Sequence, residues 1–284
     1  MASDGSPTAD DILARARAML PILRERAATA EKLRRMPPET VSDFRDAGFY
    51  RMMQPTRFGG YELPFGIQTE IAIELGRACA SSAWDAAITA CHAWILGMLP
   101  VEAQADVWGA DPNVTVSTSF LPVNPKVERV AGGLRVSGRW RFSSGVDHCA
   151  WAILGLPVAR PEGGAPGQWF ALVKLSDCRV EDVWHVSGLA ATGSNDIVVP
   201  EQFVPDYRTV DLMQLRGQGS PGSAANPGYL YRLPLHGVFS YNLVGIVLGA
   251  ARGMVEGVVD GLRGRTTMGG ASLAATQSVQ LRVA

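Results

Sequence analysis

Apolar residues recur every three or four positions over the first part of the chain, which is the period of an amphipathic helix. The pattern runs from Thr8 to Met36, opens with a Thr8 and Asp11 pair that fits a capping box, and ends at Pro37. It predicts one long helix over this stretch. Further helices are predicted over 38–47, 65–76 and 81–99.

The spacing of apolar residues changes near Asn113. Between Leu134 and Phe142, apolar and polar side chains alternate, which predicts a half-buried β-strand. Short segments rich in β-branched and aromatic residues continue to about residue 205 and predict a sheet or barrel of roughly seven strands. The Gly, Ser and Pro content of 216–229 predicts a flexible connection. A long apolar helix follows, and 278–284 predict the start of another.

These elements predict an α+β fold in three blocks. We expect an N-terminal helical domain over 1–112, a central β domain over 113–212, and the start of a C-terminal helical bundle, incomplete in this sequence, over 230–284.

Composition narrows the choice of partners. With 26 basic and 27 acidic residues among 284, the net charge is −1, which predicts neither a nucleic acid nor an anionic membrane as partner. The N-terminal segment MASDGSPTADD is acidic, so no secretory signal is predicted. The four cysteines are scattered, which favours free thiols in the cytoplasm. The apolar run from Trp84 to Leu99 is too short to span a membrane and predicts a buried helix.

Four polar residues of the predicted helix 81–99, Ser81, Asp85, Thr89 and His92, share one helical face. This face is either the solvated side of an ordinary helix or the wall of a pocket. A solvated face usually carries Lys, Glu or Arg, whereas this one carries short polar groups and a histidine. Periodicity alone leaves both interpretations open.

The strand that ends near Phe142 is followed by Ser143, Ser144 and Gly145, and then by His148. These three residues form either a plain turn or a place where a large flat ligand approaches the backbone. The segment 192–196 is explained as a tight turn. Near the end of the last long helix, Arg263 and Arg265 form either a solvated basic patch or a phosphate clamp.

The sequence lacks the motifs of metal sites, serine hydrolases and dinucleotide-binding folds. His185 and His236 stand alone, which favours hydrogen-bonded imidazoles without a catalytic role. No spacing of His, Cys, Asp or Glu predicts a metal site, so no metal is expected. The serine elbow of hydrolases is absent, and the glycine-rich segment 217–222 lies in a coil, which does not fit a Rossmann turn.

Several segments, taken in order, resemble one family: 34–62, 81–109, 138–155, 188–205 and 265–270. RFSSGVDHCAW and HAW are the specific parts. The chain resembles the oxygenase component of two-component flavin-dependent monooxygenases with the acyl-CoA dehydrogenase fold, the group of p-hydroxyphenylacetate, secosteroid-phenol and pigment hydroxylases. The resemblance implies reduced flavin lying between the central β domain and the helices.

The resemblance also implies a reaction and its partners. Reduced FMN or FAD, delivered by a separate NAD(P)H-dependent flavin reductase, would react with O2 and hydroxylate an aromatic or phenolic substrate through a flavin hydroperoxide. His92 matches the substrate-side histidine, which acts as base or hydrogen-bond acceptor for the phenol. Ser143 and Ser144 would contact the N5 region of the flavin, and Gly145 would permit its close approach. Further positions implied to line or bind the cofactor are Ser117, Ser119, Trp140, Trp151 and Arg265, the last on the flavin phosphate of a neighbouring subunit, with Met268 in place of the family's phenylalanine.

Family members continue through further long helices, form homotetramers and usually supply a second active-site histidine, whereas this sequence ends at Ala284. We therefore expect a poorly active, weakly oligomeric chain that exposes Val244, Ile246, Val247 and Leu248. Two alternatives to hydroxylation are kept: an acyl-CoA dehydrogenase-type FAD oxidoreductase, and an inactive truncated paralogue that only binds partners.

Overall fold

A computed structural model describes residues 5–283. Residues 1–4, part of the predicted acidic N-terminal segment, and Ala284, the end of the last predicted helix, lie outside the described residues. Helices before and after a block of strands confirm the α+β prediction. The three domain boundaries themselves stay a prediction.

The described helices are α1 (Ala9–Ala18), α2 (Leu20–Leu33), α3 (Pro38–Ala47), α4 (Ile67–Gly76), α5 (Ala80–Met98), α6 (Val101–Trp108), α7 (Leu235–Val238), α8 (Tyr241–Arg263) and α9 (Gln277–Val283). The described strands are β1 (Val116–Ser119), β2 (Leu121–Val130), β3 (Gly133–Ser143), β4 (Trp151–Val158), β5 (Gly167–Lys174), β6 (Arg179–Glu181), β7 (Asn195–Pro205) and β8 (Thr209–Asp211).

The first helical stretch is interrupted, so the prediction of one long helix is wrong. The capping box is confirmed, because the Thr8 hydroxyl accepts from the Asp11 N–H and the Asp11 carboxylate accepts from the Thr8 N–H. The helix ends at Ala18, and α2 begins at Leu20 with a proline in its first two positions. Pro21 lacks an N–H and cannot continue the hydrogen-bond ladder, which explains the break at Met19.

Helix α5 forms the centre of the helical block. Its side chains are buried except for those of Ala80 and Trp84, which are half-buried. The prediction of a buried helix is confirmed, and the interpretation of its polar face as a solvated stripe is wrong. Because α5 contacts α4, α8 and β1, side chains on its different faces reach both the helical core and the strands.

Two four-stranded sheets form the middle of the molecule, in the orders β1-β4-β5-β8 and β2-β3-β7-β6. β1 pairs with β4 in parallel, and the other pairs are antiparallel. The first sheet packs against the second through Leu154 and Val173 and against the helices through Ile153 and Leu172. Burial on both faces explains why β4 is a continuous apolar run.

Two predicted segments differ from the structure. The β-like pattern of 178–186 predicts a strand through this segment, but β6 stops at Glu181. The side-chain oxygen of Asn195 accepts hydrogen bonds from the N–H groups of Val183 and Trp184 and removes them from the ladder. The segment 216–229 is anchored where a flexible connection was predicted. Its Asn226 is buried and donates from Nδ2 to Gly97 O at 2.8 Å and to Gln104 Oε1 at 2.9 Å.

Helix α8 lies along α4 at close range. A Cβ built on Gly249 would lie 2.4 Å from the carbonyl oxygen of Ile73, so only glycine fits there. Val244, Val247 and Leu248 are exposed as expected, but Ile246 is 4% exposed because it faces the helical core. Within residues 5–283, the segment 235–263 has the length and apolar composition of a membrane span, a test that core helices of soluble proteins also pass.

Candidate active site

A cleft lies where α5, β1, the end of β3 and the α7–α8 segment meet. Its volume is about 180 Å³. Most of its walls are apolar, and polar groups enter from α5, β1 and the end of β3. The lining residues are Trp84, Ile88, His92, Thr118, Ser119, Phe120, Leu121, Arg141, Phe142, Ser144, Phe239 and Leu243. An apolar cleft with a few convergent polar groups is the usual form of a small-molecule site.

His92 is held in one protonation state and one tautomer. Its Nδ1 lies 2.9 Å from the carbonyl oxygen of Val116 and its Nε2 lies 2.9 Å from the hydroxyl of Thr118. A carbonyl oxygen only accepts, so Nδ1 carries the proton and Nε2 accepts from Thr118. Burial lowers the pKa of His92 to about 3, against the hydrogen bond to Val116, which raises it. The imidazole is therefore a neutral acceptor at neutral pH.

The remaining polar residues of the α5 face turn away from the cleft. The Ser81 hydroxyl donates to Glu31 Oε1 at 2.6 Å. Asp85 accepts from the Tyr50 hydroxyl at 2.8 Å and lies 3.3 Å from His148 Nε2. Burial raises the pKa of Asp85, although His148 and Tyr50 lower it. Of the four polar residues, only His92 lines this cleft. Thr89 lines a separate small cavity beside Tyr50, and Ser81 and Asp85 make buried contacts.

The turn after β3 brings Ser144 to the cleft and leaves Ser143 behind it. Ser144 is 8% exposed, accepts from Trp84 Nε1 at 3.0 Å and lies 2.8 Å from the Ser194 hydroxyl. The Ser143 hydroxyl is fully buried and has no hydrogen-bond partner within residues 5–283. Ser143 is therefore not part of the cleft surface.

Contacts within the protein already favour a glycine at position 145. Its φ is +68°, and an added Cβ would lie 3.0 Å from both Asp85 Oδ1 and His148 Cε1. The close approach that requires glycine is made by this buried pair. The implied approach of a cofactor to Gly145 stays a prediction.

Four other predicted positions lie outside the cleft lining. Trp140 is fully buried between the two sheets, where its Nε1 donates to Gly155 O at 2.8 Å. The Ser117 hydroxyl faces Trp151 O at 3.5 Å, and Trp151 lies under the guanidinium of Arg208. Arg265 is exposed beyond the end of α8. Of the implied set, the cleft brings together His92, Ser119 and Ser144, and their roles stay predictions.

Sequence reasoning missed Trp84, Thr118 and Ser194. Trp84 supplies an indole at the cleft wall, where the resemblance implied Trp140 and Trp151. Thr118 lies between Ser117 and Ser119 in a strand buried on both faces, so burial gave no signal of which hydroxyl faces His92. Ser194 lies in a segment explained as a turn, and only the fold places it beside Ser144.

Comparison with known proteins agrees with this layout. The family model for the acyl-CoA dehydrogenase N-terminal domain matches residues 9–108. The chain is 34% identical over 270 residues to the flavin-dependent monooxygenase oxygenase subunit HsaA of Rhodococcus jostii, covering 94% of this chain and 70% of that protein. It is 35% identical over 270 residues to the FADH2-dependent resorcinol hydroxylase oxygenase component of a Rhizobium strain, covering 93% and 66%.

Among solved structures, that of 3-HSA hydroxylase from Rhodococcus sp. RHA1 superimposes with a TM-score of 0.89 at 32% identity, covering 96% of this chain and 70% of that one. The fold is therefore that of the acyl-CoA dehydrogenases. The chain belongs to the oxygenase-component family of flavin-dependent monooxygenases. It spans about two thirds of the length of these relatives.

Proposed function

We propose that this chain is a reduced-flavin-dependent monooxygenase component that uses O2 to hydroxylate a phenolic substrate. The observation that carries the proposal is the His92–Thr118 pair. A neutral imidazole accepts from a hydroxyl that itself lines an apolar cleft, and Ser144 lies in the same lining. This arrangement suits a substrate whose hydroxyl proton must be accepted while water is excluded.

The lining fits a reduced flavin. Trp84, Phe120, Leu121 and Leu243 offer apolar surface to a flat ring system, and Ser144 offers a hydroxyl. We assign these residues to hold FMN or FAD, with Ser119 and Arg141 as neighbouring polar groups. When bound, the reduced flavin supplies the activated oxygen, and the protein residues orient the substrate and keep the site dry.

The proton of the substrate decides what His92 can do. A phenol has a pKa of about 10, so complete transfer to an imidazole with a pKa of about 3 would cost about 10 kcal/mol. His92 therefore acts first as a hydrogen-bond acceptor, through the hydroxyl of Thr118. A phenolate charge that develops beside the imidazole raises its pKa, so the proton moves together with oxygen transfer.

Acyl-CoA dehydrogenation is not favoured. That reaction needs a carboxylate base beside the substrate, and the described residues that line the cleft include no Asp or Glu. Asp85, a carboxylate close to Gly145, is buried and engaged by Tyr50 and His148.

Three further features belong to the proposal. A separate NAD(P)H-dependent reductase supplies the reduced flavin, since the sequence has no Rossmann turn for a nicotinamide cofactor. The working form is a homo-oligomer, as the exposed apolar residues of α8 favour. The protein acts in the cytoplasm.

The test mixes the protein with chemically reduced FMN or FAD in aerated buffer, with and without a panel of phenols. The panel includes resorcinol, for which one relative is named. We expect a hydroxylated product from at least one phenol, with correspondingly less hydrogen peroxide. Flavin reoxidation that yields only hydrogen peroxide with every phenol, at the rate seen without protein, would contradict the proposal.

A further inference from the structure

A chain of hydroxyl groups runs from the cleft wall into the protein. Trp84 Nε1 donates to the Ser144 hydroxyl at 3.0 Å, the hydroxyls of Ser144 and Ser194 lie 2.8 Å apart, and those of Ser194 and Thr192 lie 2.7 Å apart. The Thr192 hydroxyl ends the chain at the carbonyl oxygen of Leu189, at 2.9 Å. All three hydroxyl residues are buried, so solvent does not compete for these bonds.

The far end of the chain is fixed in place. The Leu189 carbonyl also accepts from Trp184 Nε1 at 3.0 Å, and the N–H of Ala190 donates to Glu31 Oε2 at 3.1 Å. The Gly145 N–H donates to the Thr192 carbonyl at 2.9 Å, which ties this turn to the one that carries Ser144. The two turns therefore form one rigid unit.

The direction of every proton follows from the carbonyl at the end. A carbonyl oxygen only accepts, so Thr192 donates its single hydroxyl proton to Leu189 O. Ser194 must then donate to Thr192, and Ser144 must donate to Ser194. With its proton turned inward and one lone pair taken by Trp84, Ser144 presents only a lone pair to the cleft.

This direction matters for a flavin because its N5 atom changes character with oxidation state. Reduced flavin carries an N5–H donor, whereas N5 of oxidised flavin is an acceptor. We propose that Thr192 and Ser194 are positioning residues that make Ser144 an acceptor and thereby give the site its preference for reduced flavin. The inference rests on the proposed function, because it assumes that flavin binds beside Ser144.

Loss of the Thr192 hydroxyl is expected to reverse the direction of the hydrogen bond between Ser194 and Ser144. In Thr192→Val, Ser194 loses its acceptor and turns its proton toward Ser144, which frees the Ser144 proton to point into the cleft. Ser144 then offers a donor to oxidised flavin. Since one hydrogen bond to the flavin then favours the oxidised form instead of the reduced form, we expect the ratio of the two flavin affinities to fall about tenfold.

The experiment measures dissociation constants of oxidised FMN in buffer and of dithionite-reduced FMN under anaerobic conditions, with no substrate and no turnover. The wild-type protein should bind reduced FMN more tightly, and Thr192→Val should reduce this preference about tenfold. The midpoint potential of the bound flavin should move by about 30 mV to the negative side, which is the same ratio expressed for a two-electron couple. Ser194→Ala should act in the same direction, and Thr192→Ser should keep the wild-type ratio.

Thr209→Val is the matched control. Like Thr192, Thr209 is buried and donates its hydroxyl to the carbonyl three residues earlier, Asp206 O, at 2.8 Å, but it lies in β8 away from the cleft. It should leave the ratio unchanged. If wild-type protein binds reduced FMN tightly and Thr192→Val keeps or increases the preference, the inference is overturned and the proposed function stands. If the wild-type protein binds neither form, both are overturned.

Discussion

The hydroxyl of Thr118 is the group whose removal tests the catalytic arrangement most sharply. Its Oγ1 lies 2.9 Å from His92 Nε2, and the side chain is 7% exposed at the cleft. Thr118→Val replaces the hydroxyl with a methyl group of similar size. The change therefore removes the connection between the cleft and the imidazole while it leaves the shape of the wall nearly intact.

Two effects of different size are expected. His92 is 2% exposed, and its Nε2 atom loses its hydrogen-bond donor. Leaving this buried acceptor unpaired costs about 1–3 kcal/mol of folding free energy. The reaction loses its path for the phenol proton, and positioned acid–base groups contribute about 10²- to 10⁴-fold to rates. We expect product formation to slow by about 10²-fold or more, far beyond the effect of the modest loss of stability.

The assay is a single turnover of reduced FMN in aerated buffer with a phenol that the wild-type protein hydroxylates. Product and hydrogen peroxide are quantified in the same sample. In Thr118→Val the reaction of flavin with O2 should continue, so peroxide should replace the missing product. Thr118→Ser restores the hydroxyl and should recover most of the product, which separates the hydroxyl from the packing of the side chain.

Two results would refute the relay through Thr118. The first is a folded Thr118→Val variant with a wild-type ratio of product to peroxide. The second is an equal loss of product and of flavin binding, because the residue would then support the cofactor and not the substrate proton.

Three further predictions follow from the same contacts. Because burial lowers the pKa of His92 from 6.5 to about 3, its contribution to stability is complete above pH 6.5 and is lost as pH falls. Between about pH 7 and about pH 5, the free energy of unfolding should therefore fall by about 2 kcal/mol less in His92→Gln than in the wild-type protein. Urea unfolding midpoints that fall equally in the two proteins would contradict this. Gly145→Ala, with φ +68° and Asp85 and His148 at 3.0 Å, should cost about 1–3 kcal/mol, checked by thermal unfolding, where an unchanged melting temperature would refute the strain. Tyr50→Phe removes the donor to Asp85 and should cost about 1–3 kcal/mol in urea unfolding, and no loss would show that this bond is dispensable.

The sequence predicted those features that depend on local pattern. The capping box of α1, the bounds of α3 and α5 and the burial of Leu134, Val136 and Trp140 in β3 follow from residue order and backbone period; the predicted alternation fails at Phe142, which is exposed and has a φ of 62°. The exposure of Val247 and Leu248 was expected from the resemblance, because family members have further helices at this point of the fold.

The site was predicted only in part, because its geometry depends on contacts between distant segments. His92 and Ser144 were found by resemblance to a family. The exchange of Trp140 for Trp84 was not visible, since only packing shows that Trp140 fills the space between the sheets. The hydroxyl chain joins residues 50 positions apart and has no local signature.

Oxygen-18 labelling during a single turnover tests the central claim most directly. The protein is mixed with reduced FMN and the best phenol of the panel under labelled O2 in ordinary water, and the product is analysed by mass spectrometry. The account predicts that the hydroxylated product carries one oxygen-18 atom from O2. A hydroxylated product without the label would contradict monooxygenation in this cleft.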